Sequence, residues 1–580
     1  MVGFATDALT RRPWRRGPYG WRDVIALALV LSAMLTFGVG SREMVAPIHA
    51  HRFAEITLSP RALPGYALRT TLRMVWAMVA SLVFTFTYAT LAAKSRRAEM
   101  LLIPVLDVLQ SVPVLGYLSF TVVFFLSLFP GRALGPELAA IFAIFTSQAW
   151  NMAFSFYQSL RMIPTDLDEA ARGYRFSAWQ RFWRLEVPFA MPGLIWNMMM
   201  SMSGGWFFVV ASEAISVGQL NIALPGIGSY VALAIQRENL GAVGWAILAM
   251  TVVIVLYDQL LFRPMVAWAD RFKAESAAAE LAPRSWVTDV FRGARLFQPM
   301  GAAVQSGLQA VARARMAVPS LRVPVARDTP RLERAIDVVW LAFIGLVVAY
   351  LLFWLVRFAG SRLSWADVRV VFGEGMLTLL RVGVLIVLAT IIWVPIGVAI
   401  GLRPEVAGRV QAFVQFLAAF PANLLFPVAV VLIVHFRLSP VIWLSPLMIL
   451  GTQWYILFNV IAGATAFPTD LREASASFHI RGWRWWRDVM LPGIFPYFVT
   501  GAITASGGAW NASIVSELVN WGPTSLNGHG LGAYIAVKTQ AGDMAHIALG
   551  VAMMSVLVVA ANRLIWRPLY AFAERRTRLD

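Results

Sequence analysis

The 580-residue chain has no cysteine, which excludes disulfides and thiolate metal sites. It has only three lysines, Lys94, Lys273 and Lys538. None sits in a Gly-x-x-x-x-Gly-Lys loop, so a phosphate cradle of that kind is absent. Histidine is scarce, at six residues, and forms no cluster with carboxylates. No catalytic residue and no metal ligand is therefore expected. Charge is scarce as well: 14% of residues, against roughly 25% in a soluble domain. The net charge of +18 does not point to nucleic acid, because the arginines fall between apolar runs, where cytoplasmic loops of a membrane protein are positive.

Apolar residues make up 59% of the chain, in runs approaching the roughly 20 residues a helix needs to cross a bilayer. Residues 1–23 are too long and too charged before the first run for a cleaved signal, so a cytoplasmic N-terminus and a retained first helix are expected. Candidate spans are 24–40, 74–93, 101–129, 138–160, 193–211 and 242–262, then 337–357, 378–400, 411–434, 441–463, 494–512 and 545–565. The two sets are copies. Pro164-Thr165-Asp166-Leu167 recurs 304 positions later as Pro468-Thr469-Asp470-Leu471. The same offset pairs Trp179 with Trp483, Pro188 with Pro492, Trp206 with Trp510, Glu213 with Glu517, and Gly226 and Gly228 with Gly530 and Gly532. Six spans per copy is an even number, so both copies have one orientation and are related by a pseudo-twofold along the membrane normal.

The expectation is an all-α membrane protein with about twelve transmembrane helices in two tandem units, 1–271 and 334–580, joined by a basic cytoplasmic connector, 272–333. Basic residues at the N-terminus, at Lys94 to Arg97, in 161–186, in the connector and at Glu574-Arg575-Arg576 put these segments and both termini on the cytoplasmic side. Loop 41–73, which also carries several arginines, breaks this rule; part of it is allowed to lie flat at the interface. Within the connector, Val287, Val290, Phe291, Phe297, Met300, Val304 and Leu308 recur near helical spacing, with Arg292 and Arg295 between them. Two readings stay open: a helix on an anionic leaflet, or a disordered tether.

Between the fourth and fifth spans of each copy lies a polar loop, 161–188 and 465–492. Each begins with Pro and an Asp or Thr cap, continues as a short helix with small residues (Glu169-Ala170-Ala171 and Glu473-Ala474-Ser475), turns, and runs through a Trp-rich basic stretch to Pro188 or Pro492. Small residues let a helix seat closely in a groove. A carboxylate at its start can take a charged hydrogen bond, and Trp anchors interfaces.

This loop resembles the signature of type I binding-protein-dependent ABC importer permeases, in which Glu-Ala-Ala is followed by three residues, a Gly, about nine residues and an apolar residue before Leu-Pro. Trp179 and Trp483, ten residues after their Glu, resemble the nitrate/taurine/sulfonate-type branch, and the fused pair resembles duplicated anion permeases. The resemblance implies that Glu169, Ala170, Ala171, Trp179, Glu473, Ala474, Ser475 and Trp483 belong to coupling helices seated in ATPase grooves. It implies two ABC ATPase subunits carrying ATP and Mg, with no cofactor on this chain, and an extracytoplasmic solute-binding protein. It further implies a place in the bacterial inner membrane, alternating access, and a small anion such as nitrate, a sulfonate, taurine or bicarbonate as substrate. Three departures stand out: Arg175 and His479 occupy the motif Gly position, which leaves open either another turn geometry, with Gly173 or Gly482, or a modified contact; Val187 replaces Leu; and Ser475 replaces Ala. A secondary transporter working without an ATPase is the alternative.

The fifth spans supply candidates for a translocation path: Asn197, Ser201, Ser203 and Trp206, and Thr504, Ser506, Trp510 and Asn511. Small polar residues also serve close helix packing, and the tryptophans also serve as interfacial anchors. For Glu213 and Glu517 three roles are open: proton coupling, an ion pair with a nearby Arg, or capping of a short outer helix.

Overall fold

The computed structural model describes residues 20–44, 56–217, 220–269, 285–294, 296–314, 330–360 and 362–577. The basic N-terminal segment 1–19, expected to be cytoplasmic, and residues 270–284 and 315–329 of the expected basic connector lie outside the described residues. The described chain is helical except for two short hairpins. That follows from the solvent: in hydrocarbon, every backbone donor must be satisfied within the segment itself.

The first half contains α1 (Trp21–Met44), α2 (Leu63–Lys94), α3 (Arg96–Ser111), α4 (Val114–Leu128), α5 (Leu134–Arg161), α6 (Thr165–Gly173) and α7 (Ala178–Glu213). A hairpin of β1 (Ala214–Val217) and β2 (Leu220–Ala223), α8 (Ile227–Gln236) and α9 (Leu240–Ala269) complete it. The connector forms α10 (Trp286–Gly293) and α11 (Gln298–Arg313). The second half contains α12 (Pro330–Gly360), α13 (Trp365–Gly401), α14 (Pro404–Ala419), α15 (Phe426–His435), α16 (Gln453–Thr465), α17 (Thr469–Ser477) and α18 (Trp483–Ser516). It closes with β3 (Leu518–Trp521), β4 (Thr524–Asn527), α19 (Leu531–Ala541) and α20 (Met544–Ala573).

Among the described residues, seven helices are long and apolar enough to cross a bilayer, and three further spans are bent pairs. With α1 and α12, each half has six elements. The third candidate spans, 101–129 and 411–434, are bent: α3 and α4 meet at 103°, and the α14–α15 element is bent by 79°. Proline causes both breaks. Val112 (ψ 124°) precedes Pro113 and Phe420 (ψ 128°) precedes Pro421, each forced out of the helical region by the ring that follows. The fourth span of the second half also bends, by 43°, between Pro440–Met448 and α16. A further regularity is four π turns, at Phe182–Glu186, Asp258–Phe262, Trp486–Met490 and Asn562–Trp566. Each sits just before a proline (Pro188, Pro264, Pro492 and Pro568), whose ring would otherwise clash with the preceding turn.

The halves interlock. The core of the first half takes in Leu424, Phe426, Val430 and Ile433 from α15 and its lead-in, while the core of the second takes in Val114, Leu115, Leu118 and Val122 from α4. At the β3–β4 tip, the Gly522 N–H donates to the Ile235 carbonyl of α8 at 3.0 Å.

Loop 41–73 is not a loop throughout. Residues 45–55 lie outside the description, but α2 begins at Leu63, and Arg73 on it is fully buried between carboxylates, so it contributes no loop charge. The tether reading of the connector is corrected for 285–294 and 296–314. Ser285 caps α10, Val290 packs with Ala26 of α1, and the Leu296 N–H donates to Asp23 Oδ1 at 2.8 Å.

Candidate coupling loops and central cavity

In the first loop, Pro164 opens α6, leaving Glu169 and Ala170 exposed and Ala171 buried. The helix ends in a Schellman motif: the Arg175 N–H donates to the Arg172 carbonyl (2.9 Å) and the Phe176 N–H to the Ala171 carbonyl (3.1 Å). The second loop repeats this, with His479 donating to Ala476 (3.0 Å) and Ile480 to Ser475 (3.0 Å). Arg175 (φ 53°) and His479 (φ 55°) both take the left-handed conformation. The turn therefore stays at the motif position with a side chain in place of Gly, and the alternative that placed it at Gly173 or Gly482 is corrected. Gly482 (φ 64°) instead opens the next helix.

The two loops are held by different chemistry. In the first, Glu186 is buried between Lys94 (2.9 Å) and Arg181 (3.0 Å), and Arg181 also meets Asp168 (3.1 Å). These groups, with Glu169 and Arg172, line a cavity of about 310 Å³ beside α6. At the matching positions the second half has Leu402, Trp485 and Met490, which pack in one apolar cluster. The connector adds to the difference. Trp179 Nε1 donates to the Val311 carbonyl (2.7 Å) and Gln180 Nε2 to the Arg313 carbonyl (2.8 Å), satisfying the carbonyl end of α11. Trp483, the counterpart of Trp179, is 73% exposed. Glu473 and Ala474 are exposed like their counterparts, and Ser475 is buried, its hydroxyl donating to the Arg472 carbonyl. Sequence reading missed Tyr174 and Phe478, which are 77% and 79% exposed at the loop tips; an aromatic repeated at the same offset was the available signal.

Between the halves lies a cavity of about 90 Å³, lined by Ser203 and Phe207 of α7, Asn511 of α18, and Phe420, Thr452 and Tyr455. Among the described residues, no charged side chain lines it. Ser203 Oγ meets Tyr455 OH across the halves at 2.6 Å, and Asn511 Oδ1 accepts from the Val114 N–H at 2.8 Å. Of the eight candidates, Ser203 and Asn511 line this cavity. Asn197 donates to Ser155 Oγ (2.9 Å) and Ser201 is buried, as is Ser506, while Thr504 is exposed and bonds back to the Thr500 carbonyl. Trp206 and Trp510 are buried in helix packing, so the interfacial-anchor reading is corrected. Thr452, Tyr455 and Phe420 were missed because they lie on the third and fourth elements.

Glu213 and Glu517 organise a buried latch in each half. Glu213 Oε1 accepts from Arg73 (2.6 Å) and Thr70 (2.7 Å), and its Oε2 accepts from the Gly228 N–H (2.7 Å) at the start of α8. Arg73 also forms a bidentate pair with Glu137 (2.6 and 2.7 Å). Glu517 accepts from Thr378 (2.9 Å), Arg381 (3.2 Å) and the Gly532 N–H (2.8 Å). Here the Arg381 guanidinium turns to the carbonyls of Val441, Gly528 and His529 in place of a second acid. Ion pairing and capping of a short helix thus occur together. The geometry explains the repeated glycines: a Cβ on Gly226 or Gly530 would fall within 2.5 Å of the Glu213 or Glu517 carboxylate.

No group of three or more His, Asp or Glu able to hold a metal occurs among the described residues. Two interlocked copies of one helical unit, each with a short helix projecting between its fourth and fifth spans and both bordering a central cavity, define an internally duplicated, polytopic membrane protein. The chain belongs to the family of binding-protein-dependent transport system inner membrane components, whose model matches residues 86–263 and again 393–578. It is 30% identical over 175 residues to a glycine betaine/carnitine transport permease protein of Listeria monocytogenes, covering 29% of this chain and 54% of that protein. It is 24% identical over 182 residues to a bicarbonate transport system permease protein of Synechococcus elongatus, covering 31% and 59%. A Bacillus subtilis permease protein named for aliphatic sulfonates transport is 24% identical over 276 residues, covering 46% and 94%. The chain thus spans little more than half the length of the first two relatives.

Proposed function

We propose that this chain is the membrane-spanning permease of an ATP-driven importer, providing both halves of the translocation path in one polypeptide. The reading rests on one observation: two projecting helices with the same Schellman ending, each followed by a π turn that leads into its membrane helix. Each presents an exposed carboxylate, small residues and an aromatic tip, a surface suited to an ATPase groove. Two loops call for two ATPase subunits, each binding ATP and Mg, and a solute-binding protein delivers substrate from the far side. The basic loops favour the bacterial inner membrane with both termini cytoplasmic.

The relatives' names cover glycine betaine, carnitine, bicarbonate and sulfonates. What these solutes share is an anionic oxygen group. The Thr452 hydroxyl and the second N–H of the Asn511 amide are neutral donors matched to such oxygens, and the Ser203–Tyr455 hydroxyl pair can turn to one by exchanging partners. The substrate is accordingly a small oxyanion or a zwitterion bearing one. Reconstitution with the ATPases and binding protein tests the reading. Solute-stimulated ATP hydrolysis should fall at least tenfold in E169A/E473A while the helical fold persists. Solute uptake by the chain alone, without ATPase, would instead establish a secondary transporter.

A further inference from the structure

The second half has an opening that the first half fills. A cavity of about 490 Å³ lies between α13, α18 and α20, walled by Val394, Leu491, Phe495, Phe498 and Phe572, with Arg487 at one end. All these residues belong to the second half, so the cavity is separate from the one between the halves. Its wall residues Leu491 and Phe572 are 36% and 48% exposed, and nearby Ile391 is 64% exposed, so it opens on the flank that faces lipid.

In α2 and α13 the repeat runs at an offset of 308, set by Thr70/Thr378 and Arg73/Arg381, which makes Phe86 the counterpart of Val394. Trp183 is the counterpart of Arg487, at the offset of 304. In the first half these two aromatics occupy the space: the Phe86 ring lies 6.1 Å from Trp183, 6.0 Å from Phe182 and 5.2 Å from Phe156, edge to face in each case. The second half has a smaller apolar residue and a cation in their place. Close-packed interiors leave few voids of this size.

We propose that this cavity binds one anionic phospholipid of the surrounding bilayer, its acyl chain lying along Phe495, Phe498 and Phe572 and its phosphate on Arg487. Charge complementarity argues for this occupant. Arg487 is 74% exposed, and its ion pair is a loose 3.6 Å contact with the adjacent Asp488, leaving its planar fork of donors available to a phosphate. Arg481 and Arg484, both exposed, add positive charge on the same loop. Arg487 and Asp488 are the last charged residues before the apolar run of α18, which places the guanidinium at headgroup level, as in basic pockets between membrane helices. The site requires only a bilayer, so its test is independent of transport.

The test uses the purified, delipidated full chain, offered phosphatidylglycerol or phosphatidylcholine and examined by native mass spectrometry. Wild type should retain one phosphatidylglycerol per chain at about ten times the occupancy of phosphatidylcholine. V394F/R487W copies side chains that the first half already accommodates and should lose that lipid. R487Q, which leaves the apolar walls intact, should abolish the preference for phosphatidylglycerol. Equal retention of phosphatidylglycerol by wild type and V394F/R487W, or an undiminished preference in R487Q, would overturn the proposal.

Discussion

Arg73 is fully buried with two acids beside it, which makes it the residue whose loss the fold should tolerate least. Breaking a buried ion pair by removing one partner typically costs about 3–5 kcal/mol. R73M takes both guanidinium bonds from Glu137 and leaves Glu213 with only Thr70 and the Gly228 N–H, so it should lower thermal stability in detergent by that order. R381M strands Glu517 alone, which keeps Thr378 and the Gly532 N–H as donors, and should cost clearly less. The triple variant R73M/E137Q/E213Q should recover most of the loss. Equal melting shifts for R73M and R381M would contradict this asymmetry. Little of the latch was legible in the sequence. Glu213 and Glu517 stood out as carboxylates closing apolar helices, but their arginines were assigned to a loop in one half and to a span in the other. The Thr-x-x-Arg repeat sits four positions out of register with the main offset, so aligning at 304 hides it. The turn at Arg175 and His479 misled for another reason. Glycine is the usual left-handed residue, yet here the Schellman hydrogen bonds hold a side-chain-bearing residue there, at a cost of roughly 1–2 kcal/mol.

At the level of elements, the two projecting helices share a backbone but not a foundation. The ionic set Lys94, Arg181 and Glu186 is replaced by Leu402, Trp485 and Met490 across the repeat. E186L alone leaves two cations facing an apolar side chain and should speed hydrogen exchange throughout α6. K94L/R181W/E186M, which transplants the second half's packing, should return α6 to near wild-type protection. If exchange in α6 ignores E186L, the ionic set does not support the loop. Sequence periodicity located both loops because Pro, Glu and Trp recur at one spacing. It could not show what holds them, since Lys94 lies on a helix 92 residues upstream of Glu186. Bent spans were likewise hidden: hydropathy counts apolar residues, and a Pro within an apolar run changes direction without changing the count.

For the whole molecule, twelve apolar runs and a parallel duplication were legible in the sequence; among the described residues seven helices and three bent pairs are long and apolar enough to span, in two tandem units, and the exchange of α4 and α15 between halves was not legible. That exchange depends on where a kinked segment goes after its proline, which composition does not encode. It has a measurable result. If each half completes the core of the other, the covalent link is not what keeps them together. Residues 1–317 and 318–580, expressed as separate chains with a tag on one, should co-purify in stoichiometric amounts. Recovery of the tagged piece alone would show that the shared cores are too weak to bind.

The crossing of α4 and α15 also limits how the protein can move. Two bodies that each carry a piece of the other cannot draw apart like the jaws of a clamp without tearing their own interiors. Any opening must be a rotation or slide about the crossing, with the kinks at Pro113 and Pro421 as pivots, so that a gap widening at one end of the molecule narrows the other.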